Sequence, residues 1–239
     1  MNAPLRISPL HDVQVSRAAR WTQAEGMQTP ASFGADDAAK LALAGIGDLG
    51  FRRRAGVKGA GAAAWLNALG IATPARHNSF LHLDDGTLVA RLGMTEYLIE
   101  DAPGGTHAAR VGATVPGERV YPVPRFDAAL LIAGSRAPEL LRQTCAFDFA
   151  SLEPSAQPLV MTSMAGVGIT AIVLDGPAGP HLRLWCDGTW GGYLWAALVE
   201  VATDLGGGAV GLDALGGLAD RRSATPPGHY AKNDSIGIE

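Results

Sequence analysis

Two rhythms of apolar residues alternate along this chain. One has a period near 3.6 and the other a period of two, so helices and half-buried strands are expected to take turns. In the first half, ADDAAKLALAGIG (35–47) predicts a short helix, with Asp36 or Asp37 as its cap and Gly45 and Gly47 at its end. FRRRAGVKG (51–59) predicts a strand that runs into a turn. AGAAAWLNALG (60–70) predicts an Ala-rich helix with Trp65, Leu66 and Leu69 on one face. SFLHLDDGTLVARLG (79–93) predicts a hairpin turning at Asp85-Gly86, and EYLIED (96–101) one more strand. Residues 1–35 lack a sustained rhythm and carry Pro4, Pro9, Pro30 and Gly34, which predicts an extended arm.

The Gly- and Pro-rich stretch APGGTHAARVGATVPGERVYPVP reads as a connector, after which the plan repeats. FDAALLIAG (126–134) predicts a strand, and SRAPELLRQTC (135–145) a helix with Leu140, Leu141 and Cys145 near one stripe. LVMTSMAGVGITAIVLDG (159–176) predicts two strands, HLRLWCDG (181–188) a strand, and TWGGYLWAALVEVATDLG (189–206) a closing helix. Gly59 with Gly134, Ala62 with Ala137 and Leu66 with Leu141 share one offset of 75 residues. In both copies the Gly lets the chain turn sharply from strand into helix. The expected fold class is α+β: duplicated strand–helix–antiparallel-strand modules whose sheets carry helices on one face. The expected boundaries are an arm at 1–35, a first repeat at 36–105, a connector at 106–124, a second repeat at 125–205 and a tail at 206–239, within one compact domain.

Composition then narrows the function classes. Of 239 residues, 47% are hydrophobic and 18% charged, which suits a chain with a sizeable buried core. The net charge of −4 and the lone basic run Arg52-Arg53-Arg54 speak against broad contact with nucleic acid. No apolar run approaches the roughly 20 residues a membrane helix needs, and the N-terminus has no apolar leader, so a cytoplasmic protein is expected. Two cysteines, Cys145 and Cys186, do not make a disulfide framework.

Candidate chemistry is sparse. GIGDLG (45–50) fits G-x-G-x-x-G, but a helix-like stretch precedes it where a strand is required, so it reads as a helix-ending turn. GAGAAA (59–64) has a strand before it and a helix after it, yet hairpins follow where a parallel β-α-β unit is needed. A nucleotide loop using Gly59 and Gly61 stays open. The six histidines, His11, His77, His82, His107, His181 and His229, show no metal-ligand spacing. His82 and Asp84 share a strand face, with Asp85 in the adjoining turn. A partly buried carboxylate there could do acid–base work; a solvated hairpin end would do none. Ser135 follows Gly134 and reads as a helix cap. In LRLWCDG, Cys186 shares its face with Leu182 and Leu184, which predicts a small buried hydrophobe and not a reactive thiolate. Trp185 points the other way and is expected at a partner surface.

RFDAALLIAGSRAPELLRQTCAFDF and LRLWCDGTWGGYLWAALVE resemble the gamma subunit of heterotetrameric sarcosine oxidases. The matching positions are Gly134, Ala137, Leu141, Cys145, Asp148, Tyr193, Leu194 and Trp195. RAGVKGAGAAAWLNALGI, Asn78 and GMTEYLIED resemble that family's opening module and the folate-binding domain of aminomethyltransferases, such as the glycine cleavage T protein. The resemblance spans about residues 45–202. It implies the two-part α+β fold of that superfamily, and a setting in the oxidation of N-methyl amino acids and one-carbon metabolism. It implies tetrahydrofolate as the cofactor to look for, with Gly59, Asn78 and Glu96 as binding positions and Asp84 or Asp85 as the acid near the first hairpin. T proteins carry a Tyr-Thr-Gly-Glu segment whose glutamate contacts the pterin. The matching stretch MTSMAGVGITAIVLDG has neither Tyr nor Glu, so a pterin there would leave N–H groups unpaired, at about 1–3 kcal/mol. The Lys-Gly-Cys signature of iron–sulfur-linked folate proteins is absent as well. The implied role is a gamma-like, non-catalytic subunit packed against other subunits of an oxidase. The alternative is a free-standing folate-binding protein or aminomethyltransferase.

Overall fold

The alternating segments assemble into two sheets laid face to face, with helices on their outer sides. A computed structural model describes residues 6–176 and 179–218. The chain begins with β1 (Arg6–Ile7), α1 (His11–Gln14), β2 (Arg20–Ala24), β3 (Met27–Ser32), α2 (Asp37–Ala44) and β4 (Gly45–Asp48). A first unit follows: β5 (Arg54–Lys58), α3 (Ala62–Ala68), β6 (Ser79–His82), β7 (Leu88–Arg91), β8 (Glu96–Glu100) and α4 (His107–Ala113), then β9 (Tyr121–Val123). The second is β10 (Ala128–Ala133), α5 (Ala137–Thr144), β11 (Leu159–Met164), β12 (Val167–Leu174), β13 (His181–Cys186) and α6 (Gly188–Asp204), then β14 (Gly208–Val210) and α7 (Leu212–Leu215). Strands β6-β7-β8-β5-β9 form an antiparallel sheet, and β11-β12-β13-β10-β4-β14 a second one in which only the β14–β4 pair is parallel. A small sheet, β1-β3-β2, is added by the N-terminal segment.

The period of two decides what each strand faces. On β8, Tyr97 and Ile99 are buried on the side of α3 and α4, and Leu98 against the opposite sheet. On β10, Leu130 and Ile132 face α5 and α6, while Ala129 and Leu131 face the opposite sheet. Three apolar layers result, two between helices and sheets and one between the sheets. Each fully buried Leu or Ile contributes about 1.5–3 kcal/mol.

The 75-residue repeat is present in the backbone. The two units share one element order, and β5 and β10 each lie beside the last strand of their own meander. Gly59 and Gly134 both have φ +118°. Ala62 and Ala137 are both buried. Leu66 is fully buried but Leu141 only partly, because Leu140 takes the inward position on α5.

Several local expectations change. The segment read as an arm folds onto the body from residue 6. Ser8 Oγ donates to the buried Asp48 carboxylate at 2.7 Å, Leu10 is fully buried, and Met27 joins the core between the sheets. Its strands pair only with each other, so no long apolar run advertised them. The connector holds α4 and β9. Ala108 and Val111 are buried, and Asp101 Oδ1 accepts the Ala108 N–H at 2.9 Å. Gly112 inside this short helix disguised it. GIGDLG is a strand: Gly45–Asp48 run on from α2 as the buried β4, where Gly47 leaves room for Leu215. Ser135 does not cap α5; its hydroxyl donates to the Ala42 carbonyl and ties α5 to α2. The expected tail contributes β14 and α7, while residues 219–239, with His229, lie outside the described residues, as do residues 1–5. No described helix is long and apolar enough to cross a membrane.

Candidate functional site

Where the two sheets meet, the apolar layer is interrupted by a buried charge. Glu100 ends β8 on the same face as Leu98, so its carboxylate enters the space between the sheets. Its side chain is 1% exposed. Oε2 accepts from Trp185 Nε1 at 2.8 Å and from Arg54 Nη1 at 3.3 Å, and Oε1 accepts from Arg183 Nη2. Burial alone would raise the Glu100 pKa. The Arg183, Arg54 and Arg52 guanidiniums and the Trp185 N–H outweigh it and hold the carboxyl below its ordinary value. Register explains the meeting. Arg54 and Ala129 are 75 residues apart, Glu100 pairs with Arg54, and Trp185 pairs with Ala129, so Glu100 and Trp185 occupy matching places in the two units. Arg183 also acts on two imidazoles. Burial first, then the Arg183 charge, lowers both His82 and His181 to about 4.

Beside this cluster lies a cavity of about 360 Å³. Trp185 and Leu98 line it from the two sheets, β11 and β12 supply Thr162 and Thr170, and Arg125 and Asp127 close it. Arg125 Nη2 donates to Glu96 Oε1 at 2.8 Å, and its Nη1 stands 3.8 Å from Asp127 Oδ1. Asp127 Oδ2 is buried and accepts no hydrogen bond. The cavity thus brings together a carboxylate, a guanidinium and Thr170, which pairs with Trp185 on the inter-sheet face, a set suited to holding a ligand by hydrogen bonds.

The candidate residues fall in separate places. Asp84 and Asp85 sit at the exposed end of the β6–β7 hairpin and line no part of this cavity. Asp85 Oδ1 accepts the Thr87 N–H at 2.9 Å, and its Oδ2 lies 3.0 Å from His107 Nε2. Asn78 is exposed and left-handed (φ +52°), joining β7 and β11 through its backbone N–H and C=O. Glu96 comes nearest, one side chain from the cavity through Arg125. Gly59 and Gly61 do not form an open phosphate loop. Their N–H groups donate to Thr95 O and Arg119 O, and the incoming β9 chain fills the space in front of them. Cys186 is buried, and burial, helped by Asp127 and Asp187, pushes its thiol up to about 11, so it stays protonated and inert. Trp185 does point away from Cys186, but into the other sheet: it is 4% exposed and is no surface residue. Sequence reasoning missed Arg125, Asp127 and the Glu100 cluster, and only Glu100 and Arg183 carried a legible sign. Glu100 alternates in phase with Leu98, and Arg183 with Trp185, which puts charge on a core face.

No family model matches the chain. An aminomethyltransferase of Parafrankia sp. (strain EAN1pec) is 28% identical to it over 235 residues, 88% of this chain and 62% of that protein. The crystal structure of glycine cleavage system aminomethyltransferase T from Bartonella henselae matches with a TM-score of 0.65 at 15% identity, over 88% of this chain and 61% of that one. This chain has the aminomethyltransferase fold. A chain of the heterotetrameric sarcosine oxidase from Corynebacterium sp. U-96, in complex with pyrrole 2-carboxylate, shares the aminomethyltransferase fold. It matches with a TM-score of 0.59 at 18% identity, over 84% of this chain and 96% of that one. The resemblance drawn from the sequence and the α+β class both agree with these relatives. The chain spans about three fifths of the curated relative and of the T structure.

Proposed function

We propose that this chain is a gamma-like, non-catalytic subunit of a complex that oxidises N-methyl amino acids in tetrahydrofolate-linked one-carbon metabolism. The observation that carries this reading is the β11–β12 wall of the cavity. It turns Thr170 to the inter-sheet face and has no Asp or Glu from Leu159 to Leu174, so a pterin would find no carboxylate there for its ring N–H groups. The near-complete overlap with a chain of a heterotetrameric oxidase supports it. So does the surface of α6, where Trp190 (57% exposed) and Tyr193 (56%) stand edge to face with ring centroids 6.3 Å apart. Large amphipathic rings of this kind anchor interfaces.

Two measurements test it. Co-purification with the flavin-bearing oxidase subunits of its own host is expected to give a stable complex. Calorimetry of the isolated chain with tetrahydrofolate is expected to give no saturable heat. Trp190→Ser is expected to weaken the complex while leaving stability within about 0.5 kcal/mol. A chain that binds none of those subunits and stays monomeric would overturn the reading. The alternative, a free-standing folate-binding protein or aminomethyltransferase, is favoured by Asp127, whose Oδ2 is buried and unpartnered at the cavity. On that reading tetrahydrofolate binds, and Asp127→Asn abolishes the heat.

A further inference from the structure

On the other side of the Arg125–Asp127 segment lies a second cleft, of about 560 Å³. Five stretches distant in sequence meet there: residues 6–9, Met27, residues 50 and 52–54, residues 108–109 and residues 125–127. Its lining brings together Arg6, Arg52, Arg53, Arg54 and Arg125 against one carboxylate, Asp127. The other counter-charges stand outside the lining. Glu100 lies 3.3 Å from Arg54, Glu96 lies 2.8 Å from Arg125, and Glu25 lies 3.6 Å from Arg53. Crowding of like charge is felt at Arg6, whose pKa is lowered first by burial and then by Arg53 and Arg54. Two of the guanidiniums are anchored on backbone carbonyls. Arg6 donates to the Glu25 and Phe51 carbonyls at 3.2 Å each, and Arg54 to the Asp127 carbonyl at 2.9 Å. Ile7 and Phe126 add an apolar rim, 61% and 79% exposed.

The geometry points to this cleft as a binding site for a small organic oxyanion, a carboxylate or a phosphate on an apolar body. A concave wall in which arginines outnumber carboxylates concentrates anionic ligands. Guanidinium forks match carboxylate and phosphate oxygens in pairs. An anion also relieves the repulsion among the arginines, and the rim takes the apolar body. This site is independent of the subunit role proposed above, and either can fail alone.

The test is calorimetry on the full chain at low salt, with phenyl phosphate and benzoate as separate probes. At least one is expected to give saturable heat. Arg53→Ala, at a half-exposed side chain, is expected to weaken it about tenfold, and Arg6→Ala likewise. Arg119→Ala, an exposed arginine outside the cleft, leaves it unchanged. Binding of phenyl phosphate alone assigns the phosphate class, and binding of benzoate alone the carboxylate class. No saturable heat from either probe up to about 10 mM, or binding that survives both Arg53→Ala and Arg6→Ala at full strength, overturns the assignment.

Discussion

At the scale of single residues, burial sets the chemistry. Cys186 lies in the core with Leu182 and Leu184, and its thiol is held protonated. Cys186→Ser buries a hydroxyl in place of a weak hydrophobe, so it is expected to cost about 1–3 kcal/mol. Urea unfolding measures this, and thiol labelling of the native wild type is expected to be far slower than in urea. His181 carries a second prediction. It is 4% exposed, and neither ring nitrogen has a partner. The unfolded imidazole titrates near 6.5 and the folded one near 4, so the unfolded chain takes up its proton first as pH falls. The contribution is whole above pH 6.5 and is lost progressively towards pH 4, to about 3 kcal/mol. His82 is shifted the same way. His181→Phe is therefore expected to remove roughly half of the combined histidine slope in this window, read as the difference from wild type in urea midpoints between pH 7 and pH 4.

At the scale of elements, the two strand-to-helix turns govern the repeat. A Cβ on Gly59 would stand 2.1 Å from Arg119 O, and one on Gly134 would stand 2.3 Å from Leu43 O. Both have φ +118°, which L side chains rarely adopt. Gly59→Ala and Gly134→Ala are each expected to lose about 2–3 kcal/mol or more. Gly70→Ala, at φ +70° with nothing within 4 Å, should lose only about 1 kcal/mol. Equal losses at all three sites would show that the close backbone approach is unimportant. These two turns were legible because a Gly between an apolar strand and an Ala-rich helix has one obvious use. The helix α4 was not legible, since its partners Asp101 and the β5–β8 surface are supplied by other parts of the chain.

At the scale of the whole molecule, the two units are joined by a buried charge cluster as well as by apolar contact. Glu100 binds Arg54 of its own sheet and Arg183 and Trp185 of the other. Glu100→Gln keeps the shape but removes the charge that neutralises two buried guanidiniums. The expected loss is about 3–5 kcal/mol. Because both ions are shielded from solvent, the loss should be nearly the same at low and high salt. Urea unfolding of the variant at two salt concentrations checks both statements. A loss below about 1 kcal/mol would mean the cluster behaves like a surface pair.

The sequence by itself determined the duplicated α+β plan, the 75-residue offset, the inward face of Cys186 and the resemblance to the sarcosine oxidase and aminomethyltransferase proteins. Each rests on neighbours in the chain: a period, a turn glycine, a spacing. Only the tertiary structure decided what lies across from each face. Alternation says that Trp185 and Cys186 point opposite ways, but not that a second sheet covers Trp185 and hands it Glu100. It says that Arg52-Arg53-Arg54 is basic, but not that Arg6 and Arg125 converge on the same cleft. Side-chain direction is a local property, whereas burial and charge partnership depend on residues tens of positions away.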